Sequence, residues 1–147
     1  VQLAGRLAEL VAYALDAMLH QHEARSVTLS RRRDLDLARA AQTLLDRDYR
    51  RPPNFAELAR EIGTSQNKLK SVFKQTFGLT MADYCLERRV REAQQLLMEA
   101  SLTIAQVAER VGYEHQSSFA AAFRNQVGMS PREYRRHRAP FILEFPA

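Results

Sequence analysis

Apolar residues recur at three- and four-residue spacing along almost the whole chain, the pattern of amphipathic helices rather than strands. Leu3, Leu7, Leu10, Val11, Ala14, Leu15 and Met18 form one stripe and predict a long N-terminal helix. The polar run HQHEARSVTLSRRR, residues 20–33, interrupts the stripe and predicts a linker. A second helix follows, with Leu37, Ala38, Ala41, Leu44 and Leu45 on one face. It must stop before RRPPN, because proline lacks the amide hydrogen a helix needs and clashes with the preceding turn. Only the closing FILEF resembles a strand run, so the expected fold class is all-α.

Beyond residue 53 the chain repeats itself. At an offset of 49, Ala56 matches Ala105, Ala59 matches Ala108 and Gly63 matches Gly112; at an offset of 50, Phe73 matches Phe123, Gly78 matches Gly128 and Tyr84 matches Tyr134. The helix starts repeat too. Asn54 with Glu57 matches Thr103 with Gln106, and Thr80 with Asp83 matches Ser130 with Glu133; each pair has the spacing of a reciprocal cap, in which side chains satisfy the orphan amides of a first turn. Pro131 stands at a first helical position, where its missing amide hydrogen costs nothing.

Each copy reads as a short helix, a tight turn and a longer helix. Phe55, Leu58, Ala59 and Ile62 precede Gly63, and Leu69, Val72, Phe73 and Phe77 then point inward. In the second copy Ile104, Val107, Ala108 and Val111 precede Gly112, and Phe119, Ala122, Phe123 and Val127 point inward. Small Ala59 and Ala108 let two helices cross closely, and glycine permits the positive φ of the bend. This is helix-turn-helix geometry, whose second helix enters a DNA major groove. Residues 81–98 form a central helix that at ~1.5 Å per residue spans roughly 27 Å, somewhat under the roughly 34 Å of one duplex turn. Tilt or bending of the DNA would absorb the difference.

Composition narrows the partners. A net charge of +5 and an isoelectric point near 9.8, with 27% charged residues of both signs, describe a folded surface with a positive side, suited to phosphate. One cysteine, Cys85, excludes an internal disulfide and a zinc-thiolate cluster, in keeping with a reducing cytoplasm. His20 and His22 are two apart on a helix and diverge, which makes them a poor metal pair. No nucleophile-base pair, paired carboxylates or phosphate-cradling glycine loop is present, so no enzyme and no cofactor is expected in this fragment. The N-terminal stretch carries Arg6, Glu9 and Asp16 and is neither a membrane span nor a secretory signal. Beginning at Val1 rather than Met, the chain reads as a fragment, and an upstream segment is expected.

The runs LAREIGTSQNKLKSVFKQTFGLTMADY, ERRVREAQQLL and TIAQVAERVGYEHQSSFAAAFRNQVGMSPREYRR resemble the DNA-binding domain of the AraC/XylS family of bacterial transcription regulators, over residues 34–138. The resemblance implies seven helices, with two homeodomain-like helix-turn-helix subdomains joined by the central helix. It also implies an operator-binding regulator in the cytoplasm, at the nucleoid, whose partners are double-stranded DNA and RNA polymerase. Residues 1–29 would then be the end of an N-terminal effector and dimerisation region plus linker, residues 30–140 the DNA-binding domain, and residues 141–147 a tail. Within the domain the units fall at about 55–77, 81–98 and 104–127. The effector, a small molecule, would bind the missing N-terminal part. The linker-plus-domain arrangement looks similar to siderophore-responsive members such as pyochelin regulators.

Helical arithmetic turns Gln66, Asn67, Lys70, Ser71 and Lys74 outward on the first reading helix, and Gln116, Ser117, Ala120, Ala121 and Arg124 on the second. Family likeness places Asn67, Lys70 and Ser71 where bases are contacted. Asn pairs bidentately with adenine and Lys donates to guanine, whereas Lys74 and Arg124, one turn on, suit phosphate. Thr80, His115 and Ser130 join them as expected phosphate contacts. Other family members carry longer polar side chains where Ala120 and Ala121 stand; these alanines are either structural or read thymine methyls. Arg88, Arg89, Arg91, Arg132, Arg135, Arg136 and Arg138 either neutralise phosphate or pair with Glu87, Glu92 and Glu133. Arg31, Arg32 and Arg33 either brush DNA or solvate the linker. A competing reading makes the chain a protein-interaction module working through the stripe over residues 3–19, which also offers a homodimer face.

Overall fold

The computed structural model describes residues 2–138, with side chains placed for residues 9–137; the FILEF tail lies outside the described residues. The described residues form seven α-helices and no strand: α1 (Gln2–Asp48), α2 (Phe55–Ile62), α3 (Gln66–Phe77), α4 (Met81–Leu96), α5 (Ile104–Arg110), α6 (Gln116–Val127) and α7 (Pro131–Arg138). The all-α expectation and both helix-turn-helix units are met.

Residues 20–33, expected to interrupt the helix, are the middle of α1, a single helix of 47 residues that runs roughly 70 Å. The stretch is polar, yet no glycine or proline stands between Arg6 and Arg51, so nothing breaks the helix. Its polar side chains bond along the helix instead. Thr28 Oγ1 donates to the Ala24 carbonyl at 2.8 Å, Ser26 Oγ donates to the Glu23 carbonyl at 2.9 Å, and His20 Nδ1 lies 2.8 Å from the Asp16 carbonyl. Polarity here marks exposure, not a loop.

Two cores lie side by side. In the first, Ala38, Ala41 and Leu45 of α1 pack with Leu58 and Ala59 of α2, Leu69, Val72 and Phe73 of α3, and Met81 and Cys85 at the start of α4. In the second, Val90, Ala93 and Leu97 from the far half of α4 and its cap meet Val107, Ala108, Val111, Phe119, Phe123 and Tyr134. The central helix thus lends one half to each core. It is two residues shorter than expected, ending at Leu96 in tight turns whose amides at Met98 and Glu99 donate to Gln95 and Leu96 at 3.1 Å. Its 16 residues span about 24 Å.

The duplication persists in the packing. Phe73 meets Tyr84 edge-on with centroids 5.6 Å apart, and Phe123 meets Tyr134 edge-on at 5.4 Å. Aromatic edges favour that approach because the ring face is negative and its rim positive.

Candidate nucleic-acid interface

The first reading helix, α3, is set by a bend and a cap. Gly63 takes φ 82°, and Thr64 donates its amide to the Ala59 carbonyl at 2.9 Å, closing α2. Ser65 then accepts the Lys68 amide at 3.2 Å and starts α3. Leu69, Val72 and Phe73 are buried, while Asn67, Lys70, Ser71 and Lys74 are exposed as expected; Gln66 is half-buried. Ser71 Oγ accepts from Gln75 Nε2 at 3.3 Å. Lys68 turns back to α1, where its Nζ lies 2.8 Å from Asp34.

The second reading helix, α6, has the same scaffold and a different start. Phe119 and Phe123 are buried, Gln116, Ser117, Ala121 and Arg124 are exposed, and Ala120 and Ala122 are half-buried. His115 is its N-cap residue in extended backbone, exposed, and makes no side-chain cap hydrogen bond. The amides of the first turn therefore keep their donors for another acceptor, favoured by the partial positive charge of a helix start. Neither α3 nor α6 contains a carboxylate, although the chain holds 17 Asp and Glu residues. Both outward faces are neutral or positive.

Thr80 and Ser130 serve as caps. Thr80 Oγ1 accepts the Asp83 amide at 3.1 Å and donates to Asp83 Oδ2 at 2.6 Å, and Ser130 Oγ accepts the Glu133 amide at 3.2 Å and donates to Glu133 Oε2 at 2.7 Å. A phosphate at either hydroxyl would have to displace a carboxylate. The hydrogen bond from the Ser130 amide, with that of its hydroxyl, holds the Glu133 carboxyl below its ordinary range. Thr103 and Gln106 complete the expected reciprocal box, at 3.1 and 2.8 Å. Asn54 and Glu57 do not: Asn54 Oδ1 accepts the amide of Ala56 at 2.9 Å, one residue short of the predicted partner.

The central-helix arginines each have partners within the chain. Arg91 lies 3.7 Å from Glu87, one turn earlier. Arg88 reaches Asp46 at 3.1 Å and lies over the Tyr49 ring, and Arg89 donates to the carbonyls of Tyr49 and Arg50 at 2.8 and 2.7 Å. Arg135 Nε donates to the Leu97 carbonyl at 3.0 Å. Arg31, Arg32, Arg33, Arg132 and Arg136 are exposed. Sequence reasoning missed a cleft of about 790 Å3 beside α6, lined by Arg50, Arg51, Arg89, Glu109, Tyr113 and Gln116. It joins the end of α1 to the second turn, which no periodicity along one element reveals.

Among the described residues no three His, Cys, Asp or Glu side chains gather as a metal site, and no helix is long and apolar enough to cross a membrane. Cys85 is buried, and that burial pushes its thiol up from the ordinary value.

A family model described as a helix-turn-helix domain matches residues 58–137. The chain is similar to the HTH-type transcriptional regulator ArgR of Pseudomonas aeruginosa, 33% identical over 98 residues that cover 67% of this chain and 30% of that protein. A solved regulator structure from Chromobacterium violaceum, described as containing an AraC-type DNA-binding domain, superposes with a TM-score of 0.64 at 30% identity, covering 71% of this chain and 94% of that one. The C-terminal domain of AraT, a response regulator of Geobacillus stearothermophilus, gives 0.63 at 31% identity, covering 76% and 90%. The chain spans about a third of the length of curated relatives such as ArgR, 30% of which it covers.

Proposed function

Since the chain belongs to the AraC family of helix-turn-helix transcription regulators and carries its DNA-binding domain, we propose that it grips duplex DNA with α3 and α6 in successive major-groove segments on one face. The observation that carries this reading is the pair of carboxylate-free helices, each held by the same bend and the same buried aromatic packing. Asn67 and Lys70, flanked by Gln66 and Ser71, supply most hydrogen-bond readout. Gln116 and Ser117 supply less, and Ala121 with half-buried Ala120 offers methyl contact. Lys74, Arg124 and His115, the last beside the uncapped start of α6, take phosphates. Thr80 and Ser130 act on the interface through the caps they make.

The regulator acts at promoters with RNA polymerase, in the bacterial cytoplasm. The likeness to siderophore-responsive members, pyochelin regulators among them, rests on a linker ahead of the domain, and residues 20–33 are helix instead. The effector is therefore proposed only as a small molecule bound in another part of the protein. The stripe on α1 serves in this function as a dimer face. Leu10, Leu15 and Met18 of α1 are 68%, 56% and 69% exposed, and a second copy presenting the same stripe would cover them.

Selection of bound duplexes from a random pool, followed by titration of variants, tests the reading. Asn67→Ala or Lys70→Ala should cost about 1–3 kcal/mol and relax preference at one base pair, whereas Lys74→Ala should weaken all duplexes alike and flatten the salt dependence. A Lys74→Ala protein with altered base preference would refute the phosphate assignment, and wild-type affinity indifferent to sequence and salt would refute the whole.

A further inference from the structure

The end of α1 is wedged between the two helix-turn-helix units. Arg89, midway along α4, donates Nε to the Tyr49 carbonyl at 2.8 Å and a terminal nitrogen to the Arg50 carbonyl at 2.7 Å, and its guanidinium stacks 5.2 Å from the Tyr113 ring centre of the second unit. Glu92, one turn on, takes hydrogen bonds from the Tyr49 hydroxyl and the Arg50 guanidinium. From the other side Gly112 closes on the same carbonyl, so that a β-carbon there would sit 2.0 Å from the Arg50 oxygen. One backbone segment, Tyr49 and Arg50, is thus held by α4 and abutted by the α5–α6 turn.

The glycine contact has no counterpart in the first unit. Gly63, the repeat partner of Gly112, has open space where its β-carbon would be. The turn glycine is needed twice for the bend and once more for the joint.

We infer that Arg89, with Glu92 and Gly112, is a positioning device that fixes the angle between α3 and α6 and so sets which spacing of two base segments the protein accepts. The inference rests on the two-groove reading above. α4 is one continuous helix with a half in each core, so the angle depends on how firmly each unit is seated on that helix. A second clamp away from the α4 axis adds a further point of attachment between the units. Two linked binding units gain affinity only when their geometry lets both engage at once. One added base pair moves the second segment by about 3.4 Å and roughly a tenth of a turn, enough to disengage a rigid pair.

The test uses the full chain and three sets of duplexes: the selected operator, the operator with one or two base pairs inserted or deleted between segments, and duplexes with one segment scrambled. For wild type, a one-base-pair change should cost ~10-fold or more in affinity. Arg89→Met should lose ~10-fold on the operator, keep single-segment binding within about twofold, and level the spacing profile, with Arg89→Lys recovering part of the preference. Spin labels at Gln75→Cys on α3 and Gln126→Cys on α6, with Cys85 buried from the label, should give one narrow distance in wild type and a broad one with Arg89→Met. An unchanged profile and distance in Arg89→Met overturn the inference while leaving the two-groove reading intact, as does equal loss on single-segment duplexes with an unchanged distance. Wild type that binds one segment as tightly as two overturns that reading, and the inference with it.

Discussion

Gly63 and Gly112 stand at the same place in two copies of one motif and answer to different neighbours. Both hold positive φ, 82° and 91°, so alanine at either should cost about 1–2 kcal/mol in backbone strain. At Gly112 the added carbon must also push the Arg50 carbonyl aside, and Gly112→Ala should therefore lower the Tm clearly more than Gly63→Ala does. Equal shifts in thermal unfolding would show that the α1 end yields freely. Glu92 adds a pH signature. Burial pushes its carboxyl up, but the hydrogen bonds from Arg50 and Tyr49 outweigh that, so its pKa lies below the ordinary value. A carboxylate depressed in the folded state contributes stability that is present above its unfolded pKa and lost as pH falls through the folded one. Chemical denaturation of Glu92→Gln should accordingly show a shallower acid-side loss than wild type; parallel curves would mean the group is not coupled to folding.

Caps decide where the short helices begin, and they differ in strength. The Thr103–Gln106 box satisfies two backbone donors reciprocally, so Thr103→Ala with Gln106→Ala, which removes both bonds, should cost somewhat more than ~1 kcal/mol, with Asn54→Ala, which removes a single bond, costing less. Urea titrations of the two variants measure the difference. The caps of α2, α4, α5 and α7, with glycines of positive φ and the apolar stripes, made these helices legible in the sequence, while α6, which starts at His115 without a side-chain cap, was legible from its stripe and flanking glycines. The middle of α1 was not, because residues 20–33 lose the apolar stripe without gaining a breaker, and periodicity reports what a helix faces rather than whether it continues. The outward faces of α3 and α6 were legible for a similar reason, Gln66 and Ala120 being turned partly inward by the packing at the helix starts. The joint was illegible. Arg89 is separated from its carbonyl partners by 40 and 39 residues and binds backbone, which carries no trace in residue type.

At the scale of the whole molecule, mass and function divide along α1. The buried core begins at Ala38, whereas the exposed apolar residues run from Leu10 to Leu29. Leu15→Glu with Met18→Glu should therefore abolish self-association in sedimentation experiments while leaving the Tm of the DNA-binding unit and its affinity for a single operator segment near wild type. Loss of both would place the stripe inside the folding unit, and unchanged sedimentation would remove the dimer.

Because α1 is one unbroken helix, its stripe and its base share a phase. Over about seven turns the position of Leu15 around the axis fixes that of Asp34, Ala38 and Ala41, against which α3 is seated. A single residue inserted between Met18 and Arg31 would swing the stripe by about 100° relative to the reading helix, so the length of the rod, and not only its composition, sets the direction in which the stripe faces when the other end is seated on DNA.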